Sequence, residues 1–88
     1  MRISRIYYTK HFNRAYKKFQ KNIKQQVRER EILFLADCFD SRLETHKLGG
    51  KLKGFWGFSI TQKYRILFVF EDNSEVTFLD IDDHDLYR

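Results

Sequence analysis

The sequence predicts an α+β domain of two layers, in which two N-terminal helices pack on a sheet with an antiparallel core, in the order β-α-α-β-β-β. Three observations predict it. From Thr9 to about Phe39 the apolar residues recur at helical spacing, and after Gly54 the period becomes two. The gaps between the later apolar runs are long enough only for turns, which makes the last three strands antiparallel neighbours.

Ile3 to Tyr8 is a short apolar and aromatic run that reads as a strand. Thr9 then offers a hydroxyl as an N-cap. Phe12, Tyr16, Phe19 and Ile23 fall on one helix face, with Lys10, Arg14, Lys17, Lys18, Lys21 and Lys24 over much of the rest, and Asn22 as the expected break. A second helix is expected from about Ile23 to Phe39. Its middle, Ile32 to Ala36, is apolar all round and should be buried on more than one side. Asp40 to Lys47 is polar and reads as irregular, and Gly49-Gly50 marks a turn. Phe55 to Ile60 follows as a strand with Trp56, Phe58 and Ile60 on one face. Tyr64 to Phe70 is a central strand, Glu71 to Ser74 a hairpin turn, and Glu75 to Ile81 the next strand. In Tyr64–Phe70 one phase should pack on the helices, and the other, with Arg65, Leu67 and Val69, should present a mixed surface. An arginine set in a strand needs a reason, because burying its charge unpaired is costly.

At 88 residues, with no linker or repeat, residues 1–88 are expected to form a single domain. Fifteen aromatic residues (nine Phe, five Tyr, one Trp) suit a small core that needs much buried area per residue. One cysteine excludes a disulfide within the chain and a cysteine-based zinc finger, and Cys38 in an apolar helix reads as a small core residue. No apolar run suggests a membrane span and the N-terminus is too polar for a secretory signal, so a cytoplasmic protein without a membrane partner is expected. The net charge of +5 is uneven. Residues 1–53 hold 14 Lys and Arg against 5 Asp and Glu, a surplus of 9, whereas residues 54–88 hold 3 against 7, a deficit of 4. The basic first part suits phosphate contact or only solubility; the later part does not suit phosphate.

Singly, the chemistry-bearing residues have plain accounts. His46 precedes a Gly-Gly turn, and Lys51 and Lys53 flank Leu52, pointing the same way if the segment is extended. His11 sits near a helix start and reads as surface. His84 lies among Asp82, Asp83 and Asp85, but no second His or Cys stands at metal-ligand spacing, so no metal is expected.

The combination is more specific. His46-Lys47-Leu48, Lys51-Leu52-Lys53-Gly54-Phe55-Trp56, Tyr64-Arg65-Ile66 and the terminal His84-Asp85-Leu86-Tyr87 together resemble the bacterial RelE/ParE toxin superfamily. The resemblance covers essentially the whole chain and is densest over residues 46–70 and the end. It implies a toxin of a type II toxin–antitoxin pair. In the RelE, YoeB and YafQ-like branches it further implies an endoribonuclease that cuts mRNA in the ribosomal A site by attack of the RNA 2′-hydroxyl, without a metal or a small-molecule cofactor. That reaction needs a base, an acid and cations around the phosphorane. By resemblance, Arg65 binds the scissile phosphate, Lys51 and Lys53 add charge, His84 is the first choice as general acid, and Tyr87 positions or stacks on a base. His46 acts as base or RNA contact, while Lys47 and Trp56 join the RNA-binding set, Trp56 also reading as core. Two features depart from the pattern: Ser59 replaces an arginine common in RNA-cutting relatives, and the tail acids repel phosphate unless they orient His84. The alternative within the superfamily is a ParE-like inhibitor of DNA gyrase that cuts nothing; that branch generally lacks the His and Lys set. The implied partners are mRNA in the ribosome and an acidic antitoxin that folds on binding.

Overall fold

The computed structural model describes residues 1–72 and 74–83. Strand β1 (Arg5–Tyr8) leads into helix α1 (Lys10–Lys17), then α2 (Lys21–Ala36). A 3-10 turn at Ser41–Leu43 precedes β2 (His46–Lys47), and a second at Gly50–Leu52 precedes β3 (Trp56–Ser59). β4 (Tyr64–Asp72) and β5 (Glu75–Asp83) complete one five-stranded sheet in the order β1-β5-β4-β3-β2. The last three strands are antiparallel as expected, while β1 runs parallel to β5, so the sheet is mixed.

Thr9 does more than begin α1. Its hydroxyl accepts from the Phe12 amide at 3.0 Å and donates to the Leu79 carbonyl at 3.0 Å. Leu79 is the extra residue where the β4–β5 register slips, Leu67 pairing with Asp80 and Phe68 with Phe78. A bulge leaves its residue out of the ladder, and here one side chain both caps a helix and takes up the bulge carbonyl.

Both helices cover the same face. Phe34 of α2, fully buried, lies 4.7 Å from Phe58, 5.1 Å from Phe68 and 5.4 Å from Phe78 by ring centroids, and Phe12 of α1 lies 5.5 Å from Phe78. Ile60, Ile66, Val76 and Ile81 fill the rest of that layer. Cys38 is buried in it, as its apolar context suggested. Among the described residues no helix is long and apolar enough to cross a membrane.

Four sequence expectations change. The helix break falls after Lys17, not at Asn22, with Gln20 in extended conformation as the N-cap of α2. That helix ends at Ala36 instead of Phe39: Asp37 is extended, its carboxylate takes the N-terminal ammonium at 2.6 Å, and the Cys38 amide donates to the Met1 carbonyl. Phe39 therefore leaves the helix and meets Trp56 and Phe70. Ile32 is 68 % exposed, because α2 has the sheet on one side only. Finally, the stretch taken as irregular contains β2, an edge strand of two residues.

Candidate functional site at the edge of the sheet

β2 is added to the sheet through two pairs, His46 with Gly57 and Lys47 with Trp56. Successive side chains on a strand point to opposite faces. His46 therefore shares the face of Gly57, and Lys47 that of Trp56. The residues that the sequence grouped into one site are divided between two faces.

On the face away from the helices, Arg65 of β4 stands opposite Ser59 of β3. Its stem lies over Gly57, and its Nη1 comes within 2.8 Å of His46 Nε2 and 3.4 Å of His46 Nδ1. A donor end-on to one imidazole nitrogen would stand almost a full ring width farther from the other. The two distances are too alike for that, so Nη1 stands over the face of the imidazole with an N–H directed at it.

The other side of His46 fixes its tautomer. Nδ1 is 2.9 Å from the Glu44 carbonyl, which can only accept, so Nδ1 carries a hydrogen and the neutral form of the ring has its lone pair on Nε2. Glu44 holds that carbonyl in place from a left-handed conformation, φ 52°, at the end of the first 3-10 turn. Its carboxylate also supports the charge on Arg65. Against that support, burial is the larger influence and pulls the Arg65 guanidinium below its ordinary pKa. The Arg65 Nε is buried without a hydrogen-bond partner among the described residues. The site thus holds a cation partly stripped of water beside an exposed imidazole, an arrangement suited to receiving an anion.

On the other face, the Lys47 ammonium lies 5.5 Å from the centre of the Trp56 ring. Trp56 is half-buried, edge-on to Phe70 at 5.1 Å and to Phe39 at 5.7 Å, so it serves as core and as the wall of a groove at once. That groove has a volume of about 470 Å³ and is lined by Lys47, Leu48, Lys53, Gly54, Phe55 and Trp56. Lys51 sits exposed on the second 3-10 turn and does not line it, because the turn breaks the alternation that would have aligned it with Lys53. His84 and Tyr87 lie outside the described residues.

Two contributors escaped the sequence reading. Glu44 carried no signal, since its role depends on a backbone conformation. Gly57 carried one: a glycine inside a strand marks a bulge or a close approach by a neighbour.

No family model matches the chain, and no curated protein matches it in sequence. Solved structures do match in fold. The YoeB/ParE toxin from Agrobacterium tumefaciens is similar with a TM-score of 0.77 at 13% identity, covering 92% of this chain and 99% of that one. The archaeal RelE–RelB complex from Pyrococcus horikoshii matches at 0.74 and 15%, covering 94% and 96%. The E. coli DinJ–YafQ toxin–antitoxin complex matches at 0.73 and 17%, covering 98% and 97%. The chain has the fold of the RelE, YoeB and YafQ toxins, as the resemblance in residues 46–70 implies.

Proposed function

We propose that this protein is the toxin of a type II toxin–antitoxin pair and that it cuts mRNA on the ribosome. The observation that carries the reading is the Arg65–His46 pair: a partly desolvated guanidinium against an imidazole whose Nδ1 is engaged by the Glu44 carbonyl, which leaves Nε2 as the basic nitrogen of the neutral ring. The fold shared with YafQ and YoeB supports it.

In the proposed reaction a base removes the proton of the RNA 2′-hydroxyl. The 2′-oxygen attacks the adjacent phosphorus, the bond to the 5′-oxygen breaks, and an acid protonates the leaving oxygen. The products are a 2′,3′-cyclic phosphate and a 5′-hydroxyl. Arg65 stabilises the charge that gathers on the phosphorane oxygens, where a preorganised cation does most. His46 is placed to take the 2′-hydroxyl proton on Nε2. By resemblance, His84 supplies the acid and Tyr87 stacks on a base. Lys47, Lys53 and Trp56 bind the strand where it passes over the β2 edge onto the helix-side face, and Lys51 adds charge from its turn.

The partner is an acidic antitoxin. The fold neighbours include complexes described as RelE–RelB and DinJ–YafQ. A chain of net +5 suits an acidic segment that orders on binding. Cytoplasmic location follows from a ribosomal target.

Primer extension on an mRNA translated in a purified system tests the reading. Wild-type protein should yield discrete cuts within codons, absent without ribosomes, and Arg65→Ala should abolish them. Intact transcripts together with inhibition of DNA gyrase would overturn it in favour of the ParE-like alternative.

A further inference from the structure

Arg65 and His46 meet across an intervening strand. Arg65 belongs to β4 and His46 to β2, with β3 between them. In a sheet the nearest cross-strand neighbour of Arg65 on β3 is Ser59, and that of His46 is Gly57. The guanidinium can reach the imidazole only by laying its stem diagonally over position 57. There is room because position 57 has no side chain. A Cβ built on Gly57 would stand 3.3 Å from Arg65 Cδ and 3.6 Å from Arg65 Cγ. The first distance is tighter than ordinary van der Waals contact, so a methyl there makes the stem give by a few tenths of an ångström and a larger side chain displaces it further.

The usual reason for glycine does not apply at this position. Gly50 and Gly54 have φ of +60° and +96°, where a side chain is strained, but Gly57 is not among the residues of positive φ. Its backbone is that of an ordinary strand, where alanine is tolerated and fills a glycine's entropic deficit. The backbone at residue 57 does not require glycine; the path of Arg65 does.

We propose that Gly57 is a positioning residue: it is the slot through which Arg65 crosses β3 to lie on His46. The inference extends the proposed function, in which Arg65 holds the phosphate, but its geometric part stands without it.

The test uses Gly57→Ala and Gly57→Val beside Arg65→Ala. The first readout is the NMR spectrum of the His46 ring, which the guanidinium against its face must shift. Both Gly57 variants should move the His46 ring signals toward those of Arg65→Ala, Val further than Ala. The thermal midpoint of Gly57→Ala should equal or exceed that of the wild type, which separates displacement of Arg65 from damage to the fold. The second readout is transcript cutting, which should fall a few-fold for Ala and on the order of a hundredfold for Val, whose bulk displaces the charge by about an ångström. Should His46 signals in both Gly57 variants match the wild type, the slot is refuted, whatever the cutting shows. Should they move as expected while wild-type protein cuts no transcript, the slot stands and the proposed nuclease falls.

Discussion

Glu44 and Arg65 act on one imidazole, the first at its Nδ1 edge and the second over its face. The Glu44 carbonyl holds the Nδ1 edge of His46 at 2.9 Å, and Arg65 Nη1 rests 2.8 Å from Nε2. The first contact places a hydrogen on Nδ1 and the second keeps a cation over the ring. Neither contact belongs to the β-ladder, so both can be altered without unpairing the sheet.

Arg65 is therefore expected to separate function from stability. Arg65→Met keeps the apolar stem and removes a partly desolvated cation whose Nε has no hydrogen-bond partner among the described residues. Its unfolding free energy in urea should equal or exceed the wild type by up to about 1 kcal/mol, while transcript cutting falls by on the order of 10²–10³. A clear loss of stability would show that the charge, not the stem, holds this face together.

Glu44 occupies a left-handed conformation that costs a residue with a side chain roughly 1 kcal/mol or more. Glu44→Gly should raise the urea midpoint. It should also weaken the hold on Arg65, whose charge loses a supporting carboxylate. Cutting should then fall modestly although the Glu44 carbonyl remains.

Phe34 touches three core rings and is fully buried. Phe34→Ala should cost about 3–5 kcal/mol, a large share of the stability of a chain this size, read as a marked fall in the urea midpoint by circular dichroism.

Thr9→Ala removes an N-cap and exposes the Leu79 bulge carbonyl to the loss of its partner, so the expected cost is about 2 kcal/mol, at the upper end for a cap. Thr9→Ser keeps both hydrogen bonds and should restore most of the midpoint; equal loss in both variants would assign the effect to the threonine methyl.

Asp40 titrates at about 2 because Arg42 and its backbone amide hold the carboxylate charged. A folded value below the unfolded one, about 4, means that this contribution is complete above pH 4 and is lost as the pH falls from there toward 2. NMR titration of the Asp40 carboxyl should show the low midpoint, and Arg42→Ala should return it toward 4.

Much of this was legible in the sequence because it follows from local chemistry. Thr9 announced its cap, and the alternation from Tyr64 to Phe70 announced a strand with Arg65 on the phase away from the helices. The failures were non-local. A strand as short as His46–Lys47 has no period to detect; it exists because β3 has a free edge. The end of α2 is set by the first residue of the chain, through Met1 and Asp37, and nothing near Phe39 reports it. Ile32 looked buried because an apolar run does not say how many layers surround it. The division of the basic residues between two faces required the pairing register, which spacing alone does not fix.

That register carries a consequence for how such a site can change. His46 and Lys47 are consecutive, held by two ladder pairs and by the bond from the Leu48 amide to the Phe55 carbonyl. Slipping β2 by one residue exchanges the faces of its side chains. The imidazole would leave Arg65 for the Trp56 side, and an ammonium would take its place. For this site the odd–even phase of His46 against Gly57 is what matters: a change in residues 48–55 that keeps the phase leaves the imidazole beside Arg65, and one that shifts β2 by a residue puts an ammonium there without altering one residue of the site.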